Sequence, residues 1–126
     1  MGSIVKFEDL PIWKEGRELT RKVYSCSRRK PFVSDFPLVD QIRRACISIT
    51  SNIAEGFDAR SNAEFIRFLG YARRSISEVK NQLYVALDEN YITHDEFSSL
   101  YEHSSTISKM LCGFMQYLKR THRSRE

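Results

Sequence analysis

Arg60, Arg67 and Arg74 recur every seven residues, a step of about 10.5 Å along a helix, so three guanidinium groups would line one outer face with Arg73 beside them. A row of this kind suits phosphates, which it can hold without reading bases. Arg43 and Arg44 form a second basic pair. Arg28, Arg29 and Lys30 form a third cluster, and Lys119, Arg120, Arg123 and Arg125 make the C-terminal end basic. Conversely, no Lys or Arg occurs from Asn81 to Ser108, where Asp88, Glu89, Asp95, Glu96 and Glu102 fall. The modest net charge of +4, from 20 Lys and Arg against 16 Asp and Glu, therefore hides a polarised distribution. For any one cluster a solvated surface is the plainer reading.

Other chemistries find no support. No Glu has a His three residues on, as di-iron bundles require, and His94, His103 and His122 lack zinc-ligand spacing. There is no glycine-rich phosphate loop and no Gly-x-Ser-x-Gly elbow, so neither an enzyme nor a bound cofactor or metal is expected. The polar residues Asn52, Glu55, Ser75, Glu78 and Gln82 fall near the apolar seams. Buried there, they would have to hydrogen-bond across helices, and they read as register-fixing groups rather than as a hidden site. Cys26, Cys46 and Cys112 are odd in number and unpaired in spacing, which fits reduced thiols and a cytoplasmic location. The N-terminal Met-Gly-Ser-Ile-Val-Lys has no signal-peptide core, and no stretch approaches the run of about 18 apolar residues that spans a membrane.

The elements that must position these groups are helices. With 126 residues, five Gly and three Pro, the chain has too few breakers for a sandwich or barrel, and its 41% hydrophobic content is enough for a core. Apolar residues recur at steps of three and four in four stretches. The first, about 10–29, carries Ile12, Gly16, Leu19, Val23 and Cys26; Asp9 is its expected cap, with Pro11 in the first turn and Pro31 beyond its end. The second, about 38–56, carries Val39, Ile42, Cys46, Ile49 and Ile53, with Gly56 as a left-handed terminator. Ser61 to Glu64 is a capping box opening the third, about 61–89, with Phe65, Leu69, Ala72, Ile76, Val79, Leu83 and Ala86 in register. A second box, Thr93 to Glu96, opens the fourth, about 94–120, on the seam Phe97, Leu100, Ser104, Ile107, Leu111, Phe114 and Leu118. Residues 121–126 are a basic tail.

Short connections predict an all-α, antiparallel up-down-up-down four-helix bundle in a single domain, 1–120. The acidic turn between the third and fourth helices then lies at the same end as Arg28 to Lys30, where the two can pair. The other end, with Arg60 and the tail, is left as the more exposed anion surface. Apolar residues beyond the seams, among them Ile47, Ile66, Tyr71, Tyr84, Val85, Tyr101 and Met110, either widen the core or meet another subunit.

The motifs Phe7-Glu8-Asp9-Leu10 with Trp13, Gln41-Ile42-Arg43-Arg44-Ala45, Asn52-Ile53-Ala54-Glu55-Gly56, Arg60-Ser61, Glu64-Phe65 and Arg67-Phe68-Leu69 carry a resemblance. They are similar to a bacterial four-helix-bundle family that includes proteins encoded in intervening sequences of 23S ribosomal RNA genes, sometimes labelled ribosomal proteins. It also includes the accessory variability protein of diversity-generating retroelements. The resemblance spans roughly residues 7 to 92. It implies a barrel-like homopentamer, a basic assembly that binds RNA or DNA, and a reverse transcriptase or other ribonucleoprotein component as partner. Arg43, Arg44, Arg60 and Arg67 match the family pattern as phosphate contacts. Arg74 stands where small residues are common and Cys46 where Ala is frequent. The expected function is a non-enzymatic, oligomeric nucleic-acid-binding accessory protein; the alternative is a scaffold for a protein partner alone.

Overall fold

The computed structural model describes residues 4–121, and the Arg123 and Arg125 of the basic tail lie outside them. Four α-helices, α1 (Pro11–Ser27), α2 (Phe36–Phe57), α3 (Asn62–Asp88) and α4 (His94–Thr121), carry the fold, with one-turn 3-10 helices at Phe7–Asp9 and Phe32–Ser34. Among the described residues there is no strand.

Helix pairing follows the chain in a ring, α1 on α2, α2 on α3, α3 on α4 and α4 back on α1. The antiparallel sense is written in side-chain pairs. Gln82 of α3 meets Gln41 of α2, and seven residues later on α2 Ser48 meets Ser75, seven residues earlier on α3. Seven residues are about two helical turns, so both pairs fall on the same seam. The seams bury their apolar stripes: Leu19, Val23, Ile42, Ile49, Ile53, Phe65, Leu69, Leu83, Ile107 and Leu111 are all closed to solvent. Each such side chain contributes about 1.5 to 3 kcal/mol relative to exposure. Val39, Phe97 and Phe114, assigned to the seams from spacing, are only half-buried and pack on the core from its edge.

Helix ends obey local chemistry, not always as the spacing suggested. Asp9 does not cap α1; it lies in the preceding 3-10 turn, Leu10 holds the cap position without a side-chain bond, and Pro11 occupies the first helical position. At α2 the cap is Asp35, whose carboxylate accepts from the Leu38 N–H at 3.3 Å. Gly56 is no left-handed terminator, since α2 runs through it to Phe57. A Cβ at Gly56 would lie 2.6 Å from Phe65 Cδ1, so the glycine is what lets α3 come close. The box at Thr93 and Glu96 is complete: the Thr93 hydroxyl accepts from the Glu96 N–H at 3.1 Å and Glu96 from the Thr93 N–H at 2.9 Å. At Ser61 the Ser half closes at 3.2 Å, while Glu64 reaches past it to the Arg60 N–H at 3.4 Å.

The α3–α4 turn is closed by Asn90 at φ 62°. Tyr91 N–H bonds the Ala86 carbonyl at 2.8 Å and Asn90 N–H that of Leu87 at 3.0 Å. This double bond pattern normally recruits glycine, and Asn is the next residue to tolerate it.

Candidate functional site

The expected basic row is broken by the start of α3. Arg60 precedes the cap residue Ser61 and so sits in the α2–α3 connection, leaving Arg67 and Arg74 as the pair two turns apart on the helix. Both are exposed, yet neither stands alone. Arg67 pairs with Glu64 at 3.6 Å and lies over the Phe68 ring, while Arg74 lies over Tyr71 at 5.7 Å from its centroid. Arg73 turns toward α4, where its Nε reaches Ser108 Oγ at 3.5 Å.

On α2 the two neighbouring arginines part company. Arg44 is exposed and pairs with Asp40 at 3.0 Å, one turn earlier. Arg43 is half-buried: its Nε donates to Ser27 Oγ at 2.9 Å and its guanidinium covers the Tyr24 ring at 4.4 Å. Arg43 thus holds the end of α1 against α2, and a phosphate would have to share it with that joint.

Lys119 and Arg120 are exposed in the last turn of α4, where positive charge also complements the helix dipole. Asn62 brings them to the α3 start by donating to the Leu118 carbonyl at 3.2 Å and meeting Thr121 Oγ1. The end that holds Arg60, Lys119 and Arg120 is therefore one surface. It is not free of acid, because Asp58 and Glu64 lie at the same helix ends.

At the opposite end a basic and an acidic group pair, as the charge pattern predicts. Arg29 reaches Glu96 at 2.7 Å, and the pairing holds the Glu96 carboxyl below the usual carboxylate range while raising Arg29. Tyr91 donates to Asp35 at 3.0 Å in the same region, a bond that pushes its phenol upward.

Of the five register-fixing candidates, Ser75 and Gln82 hydrogen-bond across helices. Ser75 is buried and donates to Ser48 Oγ at 2.9 Å across the α2–α3 seam, and Asn52 donates to the same oxygen at 3.0 Å from within α2. Glu55 and Glu78 are exposed, because the three-four alternation turns both away from the seam. Gln82 is buried like Ser75 and donates from Nε2 to Gln41 Oε1 at 3.5 Å, whereas Asn52 is half-buried.

The structure also draws together a set that the apolar spacing does not mark. Trp13, Arg17, Arg21, Tyr24 and Arg28 step by four, four, three and four along α1 and line one open groove beside α2, about 660 Å³ in volume, with Thr50 on its far wall. The Arg17 guanidinium lies 5.7 Å from the Trp13 ring centroid. The signal is present in the sequence as a second stripe on α1, offset by one or two residues from the apolar stripe of Ile12, Gly16, Leu19, Val23 and Cys26. Among the described residues no group of three or more His, Cys, Asp or Glu side chains is placed to hold a metal ion, and no helix is long and apolar enough to cross a membrane.

Residues 8–113 match the sequence profile of a family described as 23S rRNA-intervening sequence protein. Among solved structures, the chain is similar to a protein of unknown function from the S23 ribosomal protein family of Bacteroides thetaiotaomicron VPI-5482. The two share 26% identity and a TM-score of 0.75, over 82% of this chain and 97% of that one. No curated protein matches the chain.

Proposed function

Because the chain belongs to the 23S rRNA-intervening sequence protein family, we propose that it is a non-enzymatic accessory protein that binds the phosphate backbone of RNA or DNA as part of a ribonucleoprotein. The observation that carries this reading is the distribution of charge over the two ends of the bundle. At one end the acidic α3–α4 turn is met by Arg29 through the pair with Glu96. At the other, the Asn62 bond to the α4 terminus sets Lys119 and Arg120 beside the connection that holds Arg60, and the exposed Arg67 and Arg74 continue up α3. Anion binding there needs no base contact, and its strength falls with salt as counterions are released.

Self-assembly into a homopentamer is the second part of the proposal. Ile47 on α2 and Tyr71, Tyr84 and Val85 on α3 remain exposed on one chain, and Tyr84 continues into an aromatic cluster with Phe97 and Tyr101. Burial against a second copy would remove this surface from water. It would also multiply the formal charge of +4 per chain. The same apolar surface favours the alternative, a scaffold that recognises a protein partner, a reverse transcriptase among them.

One titration separates the two. Binding of unrelated RNA and DNA oligomers that weakens steeply between low and moderate salt, and that weakens further in Arg67→Glu/Arg74→Glu, supports the phosphate reading. Absence of binding at low salt leaves the protein-scaffold reading. Light scattering tests the assembly, since a monomer at micromolar concentration is incompatible with a pentamer.

A further inference from the structure

The geometry points to the α1–α2 groove as a binding site for single-stranded nucleic acid, with bases stacking on Trp13 and Tyr24 and phosphates held by Arg17, Arg21 and Arg28. This rests on the nucleic-acid reading above and adds to it a second surface and a substrate class.

A bundle helix that buries one stripe normally turns a plain polar face to solvent. The face of α1 flanking Ile12, Leu19 and Val23 on the α2 side instead interleaves aromatic and guanidinium groups at helical spacing. Trp13 and Tyr24 are half-buried, so each ring is anchored in the fold while still reaching the groove, and the arginines between and beyond them are exposed. Four basic side chains and one carboxylate, Glu18, line the groove. The eleven steps from Trp13 to Tyr24 span about 16 Å along the helix axis, enough for a few consecutive nucleotides.

Single strands are what such a surface recognises. Every base has a face to stack on a ring or a guanidinium plane, and the backbone follows the positive charge. A base pair has no free face within the helix, so a duplex would meet only the arginines. Arg17 sets a cation over Trp13 at 5.7 Å from its centroid, within reach of the phosphate of a base held at that ring, while Arg43, which is not among the groove's lining residues, covers Tyr24 at 4.4 Å. Thr50 lines the opposite wall with a hydroxyl that bonds the Ile47 carbonyl of its own helix.

Trp13 is the only tryptophan in the chain, so its fluorescence reports on this groove and no other. The full-length chain is titrated with oligouridylate and with a duplex RNA of equal length at low salt, following Trp13 emission and, in parallel, the anisotropy of end-labelled oligomers. Single strands should quench Trp13 and bind more tightly than duplex. Arg17→Glu and Arg28→Glu, both at exposed positions, should weaken oligouridylate by about tenfold each while the chain stays folded, with a small fall in melting temperature for Arg28→Glu, which puts a carboxylate at the C-terminal cap of α1. Tyr24→Phe should keep the affinity and Tyr24→Leu should lose it. If labelled oligouridylate binds but leaves Trp13 emission unchanged, and both charge reversals are silent, the groove is overturned while the phosphate surface on α3 and α4 stands. Equal affinity for duplex and single strand, with quenching by both, overturns the single-strand assignment. Failure of every oligomer to bind at low salt overturns this site together with the reading on which it rests.

Discussion

Arg29 and Glu96 meet at 2.7 Å across one end of the bundle, tying the segment after α1 to the first turn of α4. Glu96 is held twice, because its other oxygen accepts the Thr93 N–H of the capping box. The Arg29 hydrogen bond is the larger cause of its lowered pKa and the Thr93 backbone bond the next.

This sets a direction for stability against pH. The unfolded chain binds the proton more readily than the folded one, so the contribution is fully present above the unfolded glutamate pKa of about 4.3 and is lost as pH falls through the lower folded value. The side chains are 49% and 34% exposed, which limits the pair to about 0.5 to 1 kcal/mol. Glu96→Gln keeps the capping bond and removes the charge. Urea unfolding should show it less stable than wild type by that amount at neutral pH, with the two converging in acid. A gap that persists unchanged in acid would assign the loss to something other than the ion pair.

Much of this was legible in the sequence. Three-four periodicity located the helices and their buried stripes because period and burial are the same physical fact. What the periodicity could not supply was the identity of each cap, since Asp9 and Asp35 both precede a helix beside a proline and only the chain path decides which side chain reaches an N–H. The Asn90 terminator was missed for a related reason: asparagine is common in turns, and its left-handed backbone is visible only in φ. The site was less legible than the fold. Seven-residue spacing presumed that Arg60 was helical, and charge counts took Arg43 for a surface group when its fork is spent on Ser27 and Tyr24.

The glycines should divide sharply on substitution by alanine. At Gly56 the added methyl would meet Phe65, a fully buried ring held edge-on by Phe57 and Phe114, and also the Cβ of Phe68 at 3.0 Å. Neither neighbour has room to yield, so Gly56→Ala should cost about 1 to 3 kcal/mol. Gly70 and Gly113 lie inside α3 and α4 with nothing within 4 Å of the new atom. There the gain in helix propensity should raise stability by up to about 1 kcal/mol. Thermal melts of the three variants read the contrast, and a destabilised Gly113→Ala would reveal a close neighbour supplied by another chain.

The serine pair at the α2–α3 seam makes a measurable joint. Ser48 Oγ receives both Ser75 from α3 and Asn52 from its own helix, so a double-mutant cycle of Ser48→Ala with Ser75→Ala should give a coupling energy of about 0.5 to 1.5 kcal/mol. Glu55→Ala and Glu78→Ala, exposed and away from this joint, should stay within about 0.5 kcal/mol of wild type. Denaturant curves for the five variants distinguish a seam-fixing serine from a general sensitivity of α2 and α3.

Thiol reactivity should follow burial. Cys46 is fully enclosed with its pKa pushed up to about 12, chiefly by burial, and Cys26 is raised by the same cause. Cys112 is half-buried. Under native conditions at mildly alkaline pH, a disulfide reagent should therefore modify one thiol per chain promptly and the other two only on unfolding. Prompt reaction of two or three thiols would show that α1 opens from α2 far more often than the packing implies.

Arg43 offers the sharpest separation of structure from binding. Its Nε bond satisfies the buried Ser27 hydroxyl, and its plane covers Tyr24, so Arg43→Ala should lose about 1 to 3 kcal/mol through an undonated oxygen and an uncovered ring. Lysine retains the charge but not the planar fork. Arg43→Lys should thus melt nearly as early as Arg43→Ala, yet hold its affinity for a single-stranded oligomer if the side chain serves phosphate only as a positive charge. Should Arg43→Lys instead keep full stability, the Ser27 and Tyr24 contacts are dispensable to the joint between α1 and α2.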